Sequence, residues 1–163
     1  MGMSRFGQWL QKSYWWFIKR VYPVHQIGSI EFVDARSKQE PSTAEILESV
    51  REAIARVAQA GETFGRLVED QIRIVAALGN RRVGVWSGVR GYISGFEEAE
   101  RNPHYLASRL VWTAEYFRLT AGRSIANAER ASAREAATQA QLAFVTRFPD
   151  AERWRDYIKR HGD

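Results

Sequence analysis

The chain has 163 residues, a net charge of +5, no cysteine and six tryptophans. That length buries roughly two-thirds of the surface its unfolded chain would expose, so folding needs no disulfide or structural metal. The missing cysteines exclude thiolate zinc sites, iron–sulfur clusters and cysteine nucleophiles. The composition, 45% hydrophobic and 26% charged, is globular, and no apolar run approaches the ~18 residues of a membrane-spanning helix.

The charge is segregated. Residues 1–30 hold Arg5, Lys12, Lys19 and Arg20 with no Asp or Glu, and residues 71–95 hold Arg73, Arg81, Arg82 and Arg90, again with none. The other 108 residues carry 16 basic and 19 acidic side chains, a balance of −3. Acid-free basic stretches that also contain aromatics and glycines suit an anionic partner, either a polyanion or an anionic membrane surface.

Ser4 to Tyr22, SRFGQWLQKSYWWFIKRVY, places Phe6, Trp9, Leu10, Trp16 or Phe17, and Val21 at helical spacing. It predicts an amphipathic, aromatic helix ended by Pro23. Lys19 and Arg20 interrupt the apolar run, which argues against a secretory signal. Phe6 stands where a myristoylation motif needs Ser or Thr. Val24 to Gln39 loses the period, and Ile27, Ile30, Phe32 and Val33 suit a short extended piece or buried loop, a linker between arm and body.

Ser42 and Glu45 have capping-box spacing. Ile46, Val50, Ile54, Val57, Gly61, Phe64, Val68, Ile72 and Val75 then recur in steps of three and four. They predict one helix of about 36 residues, roughly 54 Å, that stops at Gly79 and Asn80. Gly84, Gly88, Gly91 and Gly95 punctuate the next segment, which fits a loosely helical turn or a glycine-rich loop open to close backbone approach. Asn102-Pro103 starts a second long helix, with a stripe from Leu106 to Ser132 that becomes nearly all alanine. This helix runs to about Arg147, with a kink near Gly122. Pro149 opens a closing helix to about Arg160, with Trp154, Tyr157 and Ile158 facing inward. These elements predict an all-α fold: residues 1–40 as an N-terminal arm and linker, residues 41–163 as an elongated antiparallel helix bundle.

His25, His104 and His161 have no partners at metal-ligand spacing, and Glu97, Glu98 and Glu100 miss the offset to His104 that a di-metal bundle requires. No phosphate-binding loop, dinucleotide fingerprint or Gly-x-Ser-x-Gly elbow occurs. The sequence therefore calls for no enzyme activity, catalytic residue, cofactor or metal. The expected phosphate contacts are Arg5, Lys12, Lys19, Arg20, Arg73, Arg81, Arg82 and Arg90. Phe6, Trp9, Trp15, Trp16, Phe17 and Tyr22 are the expected assembly or anchoring aromatics. The N-terminal helix admits three readings: a nucleic-acid arm, an interfacial helix at the headgroup level, or a helix packed on the body or another subunit.

In organisation the chain resembles the major coat proteins of filamentous archaeal DNA viruses. The arm SRFGQWLQKSYWWFIKR, the helix-rich body from Ser42 onward and the closing FVTRFPDAERWRDYIKRHG carry the likeness. The resemblance implies a virion location, helical self-assembly around DNA and no catalysis. The leading expectation is thus a self-assembling, homo- or hetero-oligomeric structural protein that packages double-stranded DNA without sequence preference. The alternatives are a peripheral membrane, phage tail or ejection, or secretion-apparatus component anchored by residues 4–22, and a helical protein–protein adaptor. A cytoplasmic or membrane-peripheral location accompanies these alternatives.

Overall fold

A computed structural model describes residues 5–37, 40–79, 84–120 and 125–161. In chain order these form α1 (Arg5–Val21), β1 (Val24–Ile27), β2 (Ile30–Asp34), α2 (Thr43–Gln59), α3 (Glu62–Gln71), β3 (Ile74–Ala77), β4 (Gly84–Trp86), β5 (Gly91–Ser94), α4 (Pro103–Thr120), α5 (Asn127–Val145) and α6 (Ala151–His161). The all-α expectation is therefore overturned. Six helices surround a five-stranded mixed sheet of order β1-β2-β3-β5-β4, and the fold is α/β.

Three parallel strands make the centre. Glu31 pairs with Ile74 between β2 and β3, and Ile74 pairs with Gly91 between β3 and β5. Antiparallel β1 and β4 form the two edges. The segment read as a linker supplies β1 and β2, joined by a two-residue turn. Gly28 stands at φ 57 there, a conformation that a Cβ disfavours. The glycine-rich segment, read as loose helix or loop, is the β4–β5 hairpin.

The single long helix expected over residues 42–78 is also corrected. It breaks at Gly61, whose φ of 128 lies far from helical values, and the chain beyond Gln71 turns extended through Ile72 into β3. Ser42 caps α2 as expected: its hydroxyl accepts from the Glu45 N–H, and the Glu45 carboxylate accepts from the Ser42 N–H at 2.7 Å. The second long helix is instead two, α4 and α5. They run antiparallel, since Trp112 bonds Thr138 and Ser108 bonds Gln141. α6 begins and ends close to the expected bounds, with Ile158 buried and Trp154 and Tyr157 packed on the core.

Alternation along the strands divides the core in two. Phe32, Val75, Ala77 and Tyr92 face one side, where α2 to α6 pack. α4 lies at the centre of these helices and buries Leu106, Leu110, Val111, Ala114 and Phe117, while Ala133 and Ala137 bring α5 close to it. Val33, Ile74, Ala76 and Ile93 face the other side, where Trp15 and Ile18 of α1 cover them. The layers are therefore α1, the sheet, and the five remaining helices. Among the described residues, no helix is long and apolar enough to cross a membrane.

Candidate functional site

α1 has two apolar faces. Trp15 and Ile18 point into the sheet at 7% and 1% exposure, with Tyr22 packed beside them. The opposite face carries Phe6, Trp9, Leu10, Trp16, Phe17 and Val21 at i, i+3, i+4 spacing. It stands in solvent: Phe6 is 66% exposed, Trp9 59%, Trp16 57% and Phe17 56%. Among the described residues, every large hydrophobic side chain left exposed lies between Phe6 and Val24.

The glycine-rich hairpin fastens this helix. The Gly88 N–H donates to Gln11 Oε1 at 3.0 Å, and a Cβ on Gly88 would stand 2.9 Å from the Gln8 carbonyl oxygen. The close backbone approach expected of the glycines is realised there. Trp86 of β4 meets the Tyr14 ring edge-on at 5.6 Å.

Lys12 and Lys19 edge the outer face of α1, and Arg20 falls within it, between Trp16 and Phe17 around the helix. Lys12 is exposed, Lys19 Nζ lies 2.6 Å from Glu31 Oε1, and the Arg20 guanidinium sits 3.7 Å over the Trp16 ring. Together with Trp15, Trp16 and Val89 these three line a pocket of about 400 Å³. A second hollow of about 480 Å³ adjoins it along the aromatic stripe, lined by Trp9, Lys12, Ser13, Trp16 and Phe17.

Of the second basic group, Arg73 and Arg90 both contact α3. Arg73 Nη1 donates to the Glu69 carbonyl at 3.3 Å and Arg90 Nη1 to the Asp70 carbonyl at 3.2 Å. Both accept in the last turn of α3, where cations offset the partial negative charge of a helix C-terminus. That contact gives both arginines a structural role. Arg81 and Arg82 lie outside the described residues, and Arg5 opens α1. Of the expected aromatics, Phe6, Trp9, Trp16 and Phe17 are outward, while Trp15 and Tyr22 serve the interior. Leu10 and Val21 belong to the outward face as well, and their spacing with Phe6 and Phe17 is legible in the sequence.

Elsewhere, titratable groups are held in structural settings. Asp34 and Arg36 form a buried pair at 2.8 Å, and Thr43 Oγ1 also donates to Asp34. Burial pushes the Asp34 carboxyl up, but hydrogen bonds from Arg36 and Thr43 outweigh it and hold the group below the usual carboxylate range. Burial, then the nearby Arg56 charge, lowers His104, which stacks on Trp154 with ring centroids 4.8 Å apart. A polar hollow of about 440 Å³ is lined by Glu97, Glu98, Ala99, Glu100 and Tyr157. Burial raises Tyr157 and its neighbour Tyr105 above the usual phenol range, with Arg109 partly opposing the rise at Tyr105. Phenols held this high are protonated at neutral pH and do not act as bases there. Among the described residues, no three His, Asp or Glu side chains gather as a metal-binding group.

No family model, curated protein or solved structure matches this chain. The likeness to filamentous coat proteins implied an all-helical body, and the mixed sheet corrects that part of it; no match lends support to a virion or capsid role.

Proposed function

We propose that this protein is a peripheral membrane component that docks on an anionic bilayer through α1. The observation that carries this reading is the outward stripe of Phe6, Trp9, Leu10, Trp16, Phe17 and Val21 on a helix whose other face is already used by the sheet. Trp and Phe on one side with Lys and Arg at the flank is the composition of a helix lying in the headgroup layer, where its apolar face reaches roughly 5–10 Å toward the acyl chains. Residues 1–30 carry four cations and no carboxylate, which favours an anionic leaflet. The same charge opposes pairing of two α1 faces, since that would bring the cations of two copies together. A nucleic-acid partner fits less well, because the most exposed side chains are apolar and would meet phosphates without satisfying them.

Flotation of the full chain with vesicles of phosphatidylcholine alone, and with phosphatidylglycerol added, tests the proposal. The expected result is flotation with the anionic vesicles, weakened by salt, with a blue shift of tryptophan emission. Protein that stays unbound with both lipids overturns it, as does a stable lipid-free dimer in which the aromatic stripe is protected from quenchers.

A further inference from the structure

The pocket at the edge of α1 gathers three cations, where the hollow on the stripe beside it has Lys12 alone. Its wall combines Lys12, Lys19 and Arg20 with Trp15, Trp16 and Val89, and among the described residues no carboxylate lines it. Lys19 is already matched by Glu31. Lys12 and Arg20 remain as two cations on one ridge of the helix, eight residues apart, with Trp16 between them at i+4. The arginine is held over the Trp16 ring at 3.7 Å, which fixes its position without neutralising it. Trp16 and Lys12 also border the adjoining hollow toward Trp9 and Phe17. The two open hollows share Lys12 and Trp16, and both are walled mainly by aromatic rings and aliphatic stems, with the cationic ends of Lys12 and Arg20 bordering the first.

We infer that this pocket receives the phosphomonoester headgroup of an anionic lipid and so selects which anionic lipid the surface prefers. The inference rests on the membrane reading proposed above. A phosphomonoester carries about −1.5 to −2 near neutral pH, which two cations with no carboxylate partner among the described residues complement. The phosphodiester of phosphatidylglycerol carries a single charge and one fewer ionised oxygen. Arg20 supplies a planar pair of donors and Lys12 a mobile ammonium. The glycerol and first methylenes would follow the Trp16 and Phe17 rings outward.

The test compares binding of the full chain to vesicles containing phosphatidic acid with binding to vesicles containing phosphatidylglycerol, adjusted to the same measured surface potential. The expected result is a preference of about tenfold or more for phosphatidic acid, the scale of one additional charge-assisted hydrogen bond. K12Q and R20Q should each remove most of that preference and weaken phosphatidylglycerol binding far less. K159Q makes the same change in net charge on α6 and should leave the preference intact. Equal binding to the two lipids at matched potential overturns the pocket and leaves the membrane reading standing. Binding to neither lipid overturns the membrane reading itself. Equal loss on both lipids in K12Q and R20Q reduces the cations to general surface charge and overturns the selective role. Inorganic phosphate in excess should compete the preference away while leaving phosphatidylglycerol binding unchanged, and a preference that survives saturating phosphate overturns the pocket as its source.

Discussion

Replacing Trp9 and Phe17 together by serine tests the outward stripe with little reach into the fold, because the two residues are already 59% and 56% exposed. A large aromatic offers about 200 Å², so each presents roughly 115 Å² to solvent. At about 25 cal/mol per Å², full immersion contributes about 3 kcal/mol per side chain. A helix lying in the interface immerses only its outer part, which halves the figure to about 1.5 kcal/mol each and about 3 kcal/mol for the pair. The double variant should therefore partition onto phosphatidylglycerol-containing vesicles roughly 100-fold more weakly than the parent.

Co-sedimentation across a lipid titration measures that ratio directly, with Trp16 left in place as an emission reporter. The thermal midpoint of the variant in lipid-free buffer should stay close to that of the parent, since neither side chain supports the core. Added salt should weaken both proteins by the same factor, because the cations are untouched. A change in partitioning below about threefold, less than ~0.7 kcal/mol, would refute the reasoning: the stripe would then not be the surface that enters lipid.

Four further outcomes follow from the fold. G88A places a Cβ 2.9 Å from the Gln8 carbonyl oxygen; it should cost about 1–3 kcal/mol and raise amide exchange in α1 selectively, whereas unchanged exchange there would mean the hairpin does not hold the helix. D34N leaves the Arg36 charge buried and half-paired, and a loss of about 3–5 kcal/mol is expected in urea unfolding. His104 is lowered on folding, so the stability it contributes is full above its ordinary value near 6.5 and is lost as pH falls through the folded value. The thermal midpoint should drop between about pH 7 and pH 5, and H104F should flatten that slope while keeping the ring stack on Trp154; an unchanged slope would assign the drop to other groups. S42A removes the acceptor of the α2 capping box and should cost about 1 kcal/mol, with no effect on vesicle binding.

The helices were legible where local chemistry marks them. α1, the Ser42–Glu45 cap and the closing helix after Pro149 all follow from caps, proline and period. The sheet was hidden for a physical reason. Its central strand, Ile74–Ala77, is buried on both faces and four residues long, so it offers no alternation. Ile72 and Val75 also happen to continue the three-and-four spacing of α3. A short apolar run of this kind reads equally as the last turn of a buried helix. β4 and β5 were masked differently: their glycines suggested broken helix, although Val83, Val85 and Trp86 beside them favour extended chain. The contacts of Arg73 and Arg90 could not be read from the sequence either, because the two meet only after β3 and β5 align, and the carbonyls they bond belong to α3.

The orientation of α1 could not be read from its own residues, because both of its faces are apolar. Phe6, Trp9, Leu10 and Phe17 make the bulkier stripe, and bulk alone would turn that stripe inward. The sheet instead takes Trp15 and Ile18, because the hairpin approaches through Gln8, Gln11 and Gly88, side chains small or polar enough to let backbone meet backbone. A helix so arranged is covered on one side and uncovered on the other, at a cost in exposed apolar surface that a protein functioning only in water has little reason to bear. Residues 1–30 then select among possible covers. Their four cations, one of them paired with Glu31, suit the anionic, apolar-cored surface proposed above better than a second copy of the same helix.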